Sequence, residues 1–122
     1  MKLFVALGSL LGLLAVAAGA FGAHALEARL DTPMLDVWET AATYQMYHAL
    51  ALFGAAWLFG QTGSGWATAA GWSFFGGTVV FSGTLYVLAL SGIKWLGAIT
   101  PLGGTAMIVG WFCCFMAALK LG

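Results

Sequence analysis

Charged positions in this chain are few and clustered, and the apolar runs between them set the architecture. After Lys2 no charge occurs until Glu27; Glu27, Arg29, Asp31, Asp36 and Glu39 then fall close together, and only Lys94 and Lys120 follow. A membrane-crossing helix needs about 20 apolar residues at about 1.5 Å each. The run from Leu3 to Leu26 is long enough for one crossing, and the stretch from Thr40 to Ile93 for two with a turn between them. Gly60-Gln61-Thr62-Gly63-Ser64-Gly65 supplies that turn, because glycine and short polar side chains suit tight loops and weaken helix interiors. The run from Trp95 to Leu119 makes a fourth crossing. The pattern therefore predicts helices over about 3–26, 33–59, 67–91 and 100–119, in one domain spanning residues 1–122. The expected fold class is all-α, an integral membrane four-helix bundle.

Two Thr-Pro pairs mark helix starts. Thr32-Pro33 and Thr100-Pro101 each place a hydroxyl acceptor before a proline whose φ is already helical. A helix from Pro33 to Phe59 would be about 40 Å long, more than a hydrocarbon core of about 30 Å. Its first turns belong at the headgroups, where Asp36 and Glu39 meet water and the positive helix terminus, and Trp38 joins the interfacial belt. The repeated Thr-Pro, followed by Trp38 in one case and Trp111 in the other, reads as a trace of a two-plus-two duplication.

Composition agrees with the bilayer as solvent. Of 122 residues 62% are hydrophobic and 7% charged, against about 25% charged in soluble domains, too few to cover a water-facing surface. Four basic and four acidic residues balance, and no basic run exists, which excludes a nucleic-acid footprint. Cys113 and Cys114 are adjacent, a spacing that suits neither a loop-closing disulfide nor a CxxC site, so they read as small apolar fillers. Lys2, the following apolar run and Ala23-His24-Ala25 have the look of a signal peptide, but the run is longer than a signal core and is read as a retained span. Lys2 and Lys120 fall on one side and Arg29 and Lys94 on the other. The basic flank of the first helix favours cytoplasmic termini.

Helices in lipid associate by close backbone approach, so small residues mark the seams. Gly8, Gly12, Ala15, Gly19 and Gly22 trace one face of the first helix. Ser73, Gly77, Thr84 and Ser91 trace one on the third, where Gly83 is a further packing candidate, and Gly103, Met107, Gly110, Cys114 and Ala117 one on the fourth. These faces serve the chain's own packing, or a second copy or partner.

Ionisable groups inside a membrane are costly and hence functional candidates. Only His24 and His48 qualify. Thr40, Tyr44 and His48 form one ridge of the second helix, with Gln45 beside it. The two histidines sit at different depths, which disfavours a shared haem or metal and leaves a proton relay from Glu27 and Glu39 through His24 or Tyr44 to His48. The alternative is that each imidazole locks helix packing through a hydrogen bond. No catalytic constellation, cofactor motif or metal cluster is present in the sequence, so no enzyme activity is expected.

The ordered strings GAFGAHAL (Gly19–Leu26), YQMYHALAL (Tyr44–Leu52), FSGTLYVLAL (Phe81–Leu90) and LGAITPLGG (Leu96–Gly104) resemble the YgdD-like family of small inner-membrane proteins, domain-of-unknown-function family 423. The resemblance implies a four-helix protein of the bacterial plasma membrane, with no assigned activity. Its motif positions are Gly19, Gly22 and His24; Tyr44, Gln45 and His48; Ser82, Gly83 and Tyr86; and Thr100, Pro101, Gly103 and Gly104.

Two function classes follow. The first is a non-enzymatic accessory or scaffold component of a membrane assembly, or a self-oligomer, whose partners are the lipid bilayer and a membrane protein or a second copy. The second is a small transporter or channel with a proton or polar-solute pathway lined by His24, Tyr44 and His48. No Asp, Glu, Lys or Arg lies deep in a span, which weighs against the second.

Overall fold

The computed structural model describes residues 1–122 and consists of helices joined by short turns. Helix α1 covers Lys2–Leu26, α2 Thr32–Thr62, α3 Gly65–Ser91 and α4 Thr100–Ala118. Three segments, Lys2–Leu26, Gly65–Ser91 and Lys94–Ala118, are long and apolar enough to cross a membrane. Helix α2 has the length, about 46 Å at about 1.5 Å per residue. Its polar cluster of Tyr44, Gln45, Tyr47 and His48 keeps it less apolar than the others.

Several boundaries differ from the sequence expectation, each for a local reason. The connection between α2 and α3 is shorter than 60–65: α2 continues to Thr62, and only Gly63 and Ser64 turn the chain. Gly63 can do this alone because it takes φ of 60°, while Ser64 caps α3 by accepting from Trp66 N at 3.0 Å. Neither Thr-Pro pair caps as expected. Asp31 is the N-cap of α2, its Oδ1 accepting from Met34 N at 2.9 Å, and Thr32 already lies within the helix. Thr100 Oγ1 instead donates back to Leu96 O at 3.2 Å, since the turn Lys94–Ala98 runs directly into α4. Helix α1 is not α-helical throughout; Ala17–Gly22 widens into a π turn.

Antiparallel neighbours pack in chain order, α1 on α2, α2 on α3 and α3 on α4, while α1 and α4 make no contact. Five of the expected seam glycines lie where chains approach most closely. A Cβ on Gly8 would stand 2.9 Å from Ala49 O, and one on Gly22 would stand 2.8 Å from the Trp38 indole. Gly12 and Gly19 face the methyls of Ala49 and Ala42 on the same α1–α2 seam. Between α3 and α4, Gly77 and Gly103 meet backbone to backbone: a Cβ on Gly77 would be 2.8 Å from Gly103 O. Gly110 admits the ring of Phe74. Gly83 is the exception. Nothing lies within 4 Å of a Cβ placed there, so it opens outward and packs against no helix. Gly71, not anticipated, receives the ring of Phe4.

The core is thin, with Leu52, Ala55, Ala70 and Phe74 at its centre. Large apolar side chains point outward on every helix, Phe21 at 75% exposure and Ile108 at 70% among them. A soluble monomer does not present so continuous an apolar surface. Hydrocarbon satisfies it.

Candidate functional site

The polar groups of the interior converge on α2. Gln45 is buried, and its side chain joins three helices: Nε2 donates to Leu11 O of α1 at 2.8 Å, and Oε1 accepts from Tyr86 Oη of α3 at 2.7 Å. The Tyr86 ring in turn lies 4.6 Å from that of Trp38, whose indole N–H donates to Ala18 O at 2.8 Å. That carbonyl belongs to the π turn, where a wider helix also directs Ala23 N to Ala18 O. One turn toward the start of α2, Ser82 Oγ of α3 donates to Ala41 O at 2.7 Å. Thr84 and Thr100 share a hydrogen bond of 2.7 Å between α3 and the start of α4.

His48 is buried one turn deeper than Tyr44. Its Nδ1 lies 2.8 Å from Tyr44 O, and Trp111 Nε1 of α4 donates to its Nε2 at 3.1 Å. An indole nitrogen only donates, so Nε2 accepts and Nδ1 carries the proton toward the carbonyl. The arrangement specifies one neutral tautomer with both ring nitrogens engaged. Phe74 packs on the same ring at 5.5 Å and on Trp111 at 5.0 Å. Thr78, on α3 between Phe74 and Ser82, is buried with an unpartnered hydroxyl.

The residues singled out in the sequence do not form one site. Tyr44 and His48 do share a wall of a cavity of about 460 Å³ that opens to the outside and is bordered also by Phe81, Met107 and Trp111. Gln45 turns the other way, into the α1–α2–α3 junction. His24 stands apart from all three; its side chain is 86% exposed and pairs loosely with Glu27 at 3.6 Å. The ridge of Thr40, Tyr44 and His48 is thus exposed at its first two members and buried at the third. Of the two relay branches, the one through His24 has its histidine at the surface, whereas the one through Tyr44 has its ring 6.4 Å from that of His48. No three His, Cys, Asp or Glu side chains gather as a metal ion would require. Cys113 and Cys114 are free thiols, the first buried against the core.

Sequence reading missed the Trp111–His48 and Gln45–Tyr86 bonds. Both join side chains far apart in the chain, and no periodicity within one helix reports such a pairing. The signal available was indirect: Trp111 and Tyr86 are amphipathic aromatics in otherwise apolar runs, and a buried indole or phenol seeks a polar partner.

Helices with this outward apolar surface, and with buried polar side chains that are hydrogen-bonded except at Thr78, define an all-helical membrane protein. The chain belongs to the family described as protein of unknown function DUF423, whose sequence model matches residues 18–104. It is 48% identical over 121 residues to the UPF0382 membrane protein SSP2132 of Staphylococcus saprophyticus, covering 99% of this chain and 100% of that one. It is 51% identical over 121 residues to the UPF0382 membrane protein YwdK of Bacillus subtilis, covering 98% of each. No solved structure matches. With bacterial relatives of that name and three apolar helices, the chain is a multi-pass protein of the plasma membrane.

Proposed function

We propose that this protein is a non-catalytic four-helix bundle that crosses the membrane four times. Both termini lie in the cytoplasm, and it acts through its lipid-facing surface as an accessory or scaffold component of a membrane assembly, or as a self-oligomer. The fourth crossing is α2, where Gln45 and His48 point into helix seams while Tyr44 and Tyr47 stay exposed. The observation that carries the reading is the commitment of those groups. Gln45 spends its amide on α1 and its carbonyl on α3, and His48 spends both nitrogens on α2 and α4. Side chains so engaged hold helices in register and are not free to pass a proton or solute.

The residues proposed for a conduit give it less support. His24 is at the surface, and Tyr44 and His48 border a cavity that opens outward between helices. Reconstituted vesicles test this directly: His48→Gln is expected to leave proton flux unchanged. A loss of flux in a folded variant would favour the conduit. Gentle detergent extraction followed by mass analysis of the intact particle tests the accessory role. A defined foreign partner or a discrete oligomer is expected, whereas a bare monomer overturns it. Crossing by α2 is tested with a membrane-impermeant maleimide on Arg29→Cys and Gln61→Cys, which are expected to react from opposite sides.

A further inference from the structure

The bond between Trp111 and His48 uses a lone pair that a proton can also take. Nδ1–H donates to Tyr44 O and Nε2 accepts from the indole, so the ring is neutral while both bonds stand. A proton added at Nε2 would set two N–H groups head to head across 3.1 Å with no acceptor between them. Nothing nearby would hold the resulting cation. Tyr44 lies against the ring from α2, Phe74 from α3 and Trp111 from α4. Beyond Trp111 the titratable groups of α4 are the thiols of Cys113 and Cys114, and those of α1 are Lys2 and His24 at its two ends. The cavity beside the ring is bordered by no Asp, Glu, Lys or Arg, and no carboxylate pairs with His48. Along α2 the nearest carboxylate is Glu39, about two and a half turns earlier.

We propose that His48 and Trp111 form a proton-operated latch: with the imidazole neutral, Trp111 ties α4 to α2, and protonation of Nε2 frees the indole and parts the two helices at that level. The bond and the proton compete for one lone pair, so acidification favours the released form. The surroundings let a proton in and the indole out. His48 forms part of the wall of a cavity that opens to the outside, and Tyr44 and Thr105 line the same cavity with hydroxyl-bearing side chains. Trp111 borders that cavity and a second one on its other side, beside Tyr47 and Cys114, so its indole can swing without displacing a packed core. Release stays confined to the α2–α4 seam. Helix α4 remains held to α3 by the close approach of Gly103 to Gly77 and by the bond between Thr100 and Thr84.

The test is NMR of the full chain in detergent micelles, with nitrogen-15 in its imidazoles and indoles, from about pH 8 to about pH 4, a range that brackets ordinary histidine titration. Exchange of the Trp111 indole proton is read against that of Trp95, which is 65% exposed and cancels the intrinsic effect of pH. The ratio of the two rates is expected to rise about fivefold on acidification, as loss of one interhelical hydrogen bond of ordinary strength allows. Its midpoint is expected to coincide with protonation of His48 Nε2. His48→Gln keeps a side-chain oxygen that can accept from the indole but has nothing to titrate, so its ratio is expected to stay flat. His24→Gln alters a surface ring away from the seam and is expected to leave the profile of the unmodified chain. Three results would each overturn the latch: Nε2 unprotonated throughout, Nε2 protonated with no change at Trp111, or the same rise in His48→Gln. The shared midpoint is measured on the unmodified chain and decides the matter even if His48→Gln does not fold.

Discussion

Trp111 and His48 form the one side-chain hydrogen bond between α2 and α4, at 3.1 Å, across a seam otherwise interrupted by two cavities. Because the indole can only donate, the bond also fixes which imidazole nitrogen is protonated. Nitrogen NMR of the imidazole is expected to show an unprotonated Nε2 and a protonated Nδ1. Trp111→Phe keeps an aromatic ring against Phe74 but removes the donor. It is expected to cost about 1 kcal/mol, a usual value for one interhelical hydrogen bond in a membrane, and to release the ring into a mixture of tautomers. Denaturation in mixed micelles and the same NMR signal measure the two effects.

Gln45 couples α1 and α3 through a single amide, which makes its contribution separable from its volume. Gln45→Leu fills the same space but leaves the Tyr86 hydroxyl half-buried without an acceptor, at an expected cost of about 1–2 kcal/mol. Tyr86→Phe removes that orphan. The double variant is therefore expected to be less destabilised than the sum of the two single variants, by about 0.5–1.5 kcal/mol. Strict additivity in the double-mutant cycle would mean that the 2.7 Å contact contributes nothing.

How far the sequence discloses this arrangement depends on whether the information is local. The helices were legible because charges and turn residues punctuate the apolar runs, and the α1 seam because Gly8, Gly12, Gly19 and Gly22 recur at helical spacing on one face. The caps were half legible: a Thr-Pro pair announces a helix start, but Asp31, one residue earlier, holds the better acceptor. The interior polar bonds were hidden, since which of Tyr44, Gln45 and His48 turns inward depends on where α1, α3 and α4 lie around α2. Sequence spacing put Tyr44 and His48 on one ridge, yet a helix buried on two sides divides a ridge between lipid and core.

Gly77 and Gly83 show the same limit and supply a contrast. Both were candidates for close packing on one helix. A methyl at Gly77 would meet Gly103 O at 2.8 Å, a backbone atom that moves only if α4 moves, so Gly77→Ala is expected to cost about 1–3 kcal/mol. At Gly83 the space is open, and Gly83→Ala is expected to be neutral or to gain up to about 1 kcal/mol from helix propensity. Thermal denaturation of the two variants in one detergent decides the assignment. Equal losses would place an unseen neighbour against Gly83.

Asp31 and Thr32 divide the capping of α2 unequally, and the division can be measured at an exposed site where packing does not intervene. Asp31 accepts from Met34 N, one of the amides at a helix start that has no carbonyl partner within the helix. Asp31→Ala removes that acceptor and is expected to cost about 1 kcal/mol, felt in the first turn. Asp31→Asn keeps a side-chain oxygen and should restore most of it. Thr32 makes no such bond and is exposed, so Thr32→Ala is expected to change stability by less than about 0.5 kcal/mol. Amide exchange at Met34 reads the cap directly. Faster exchange in Asp31→Ala, with protection retained in Thr32→Ala, is the expected result; the reverse order would return the cap to the threonine that the Thr-Pro pattern first indicated.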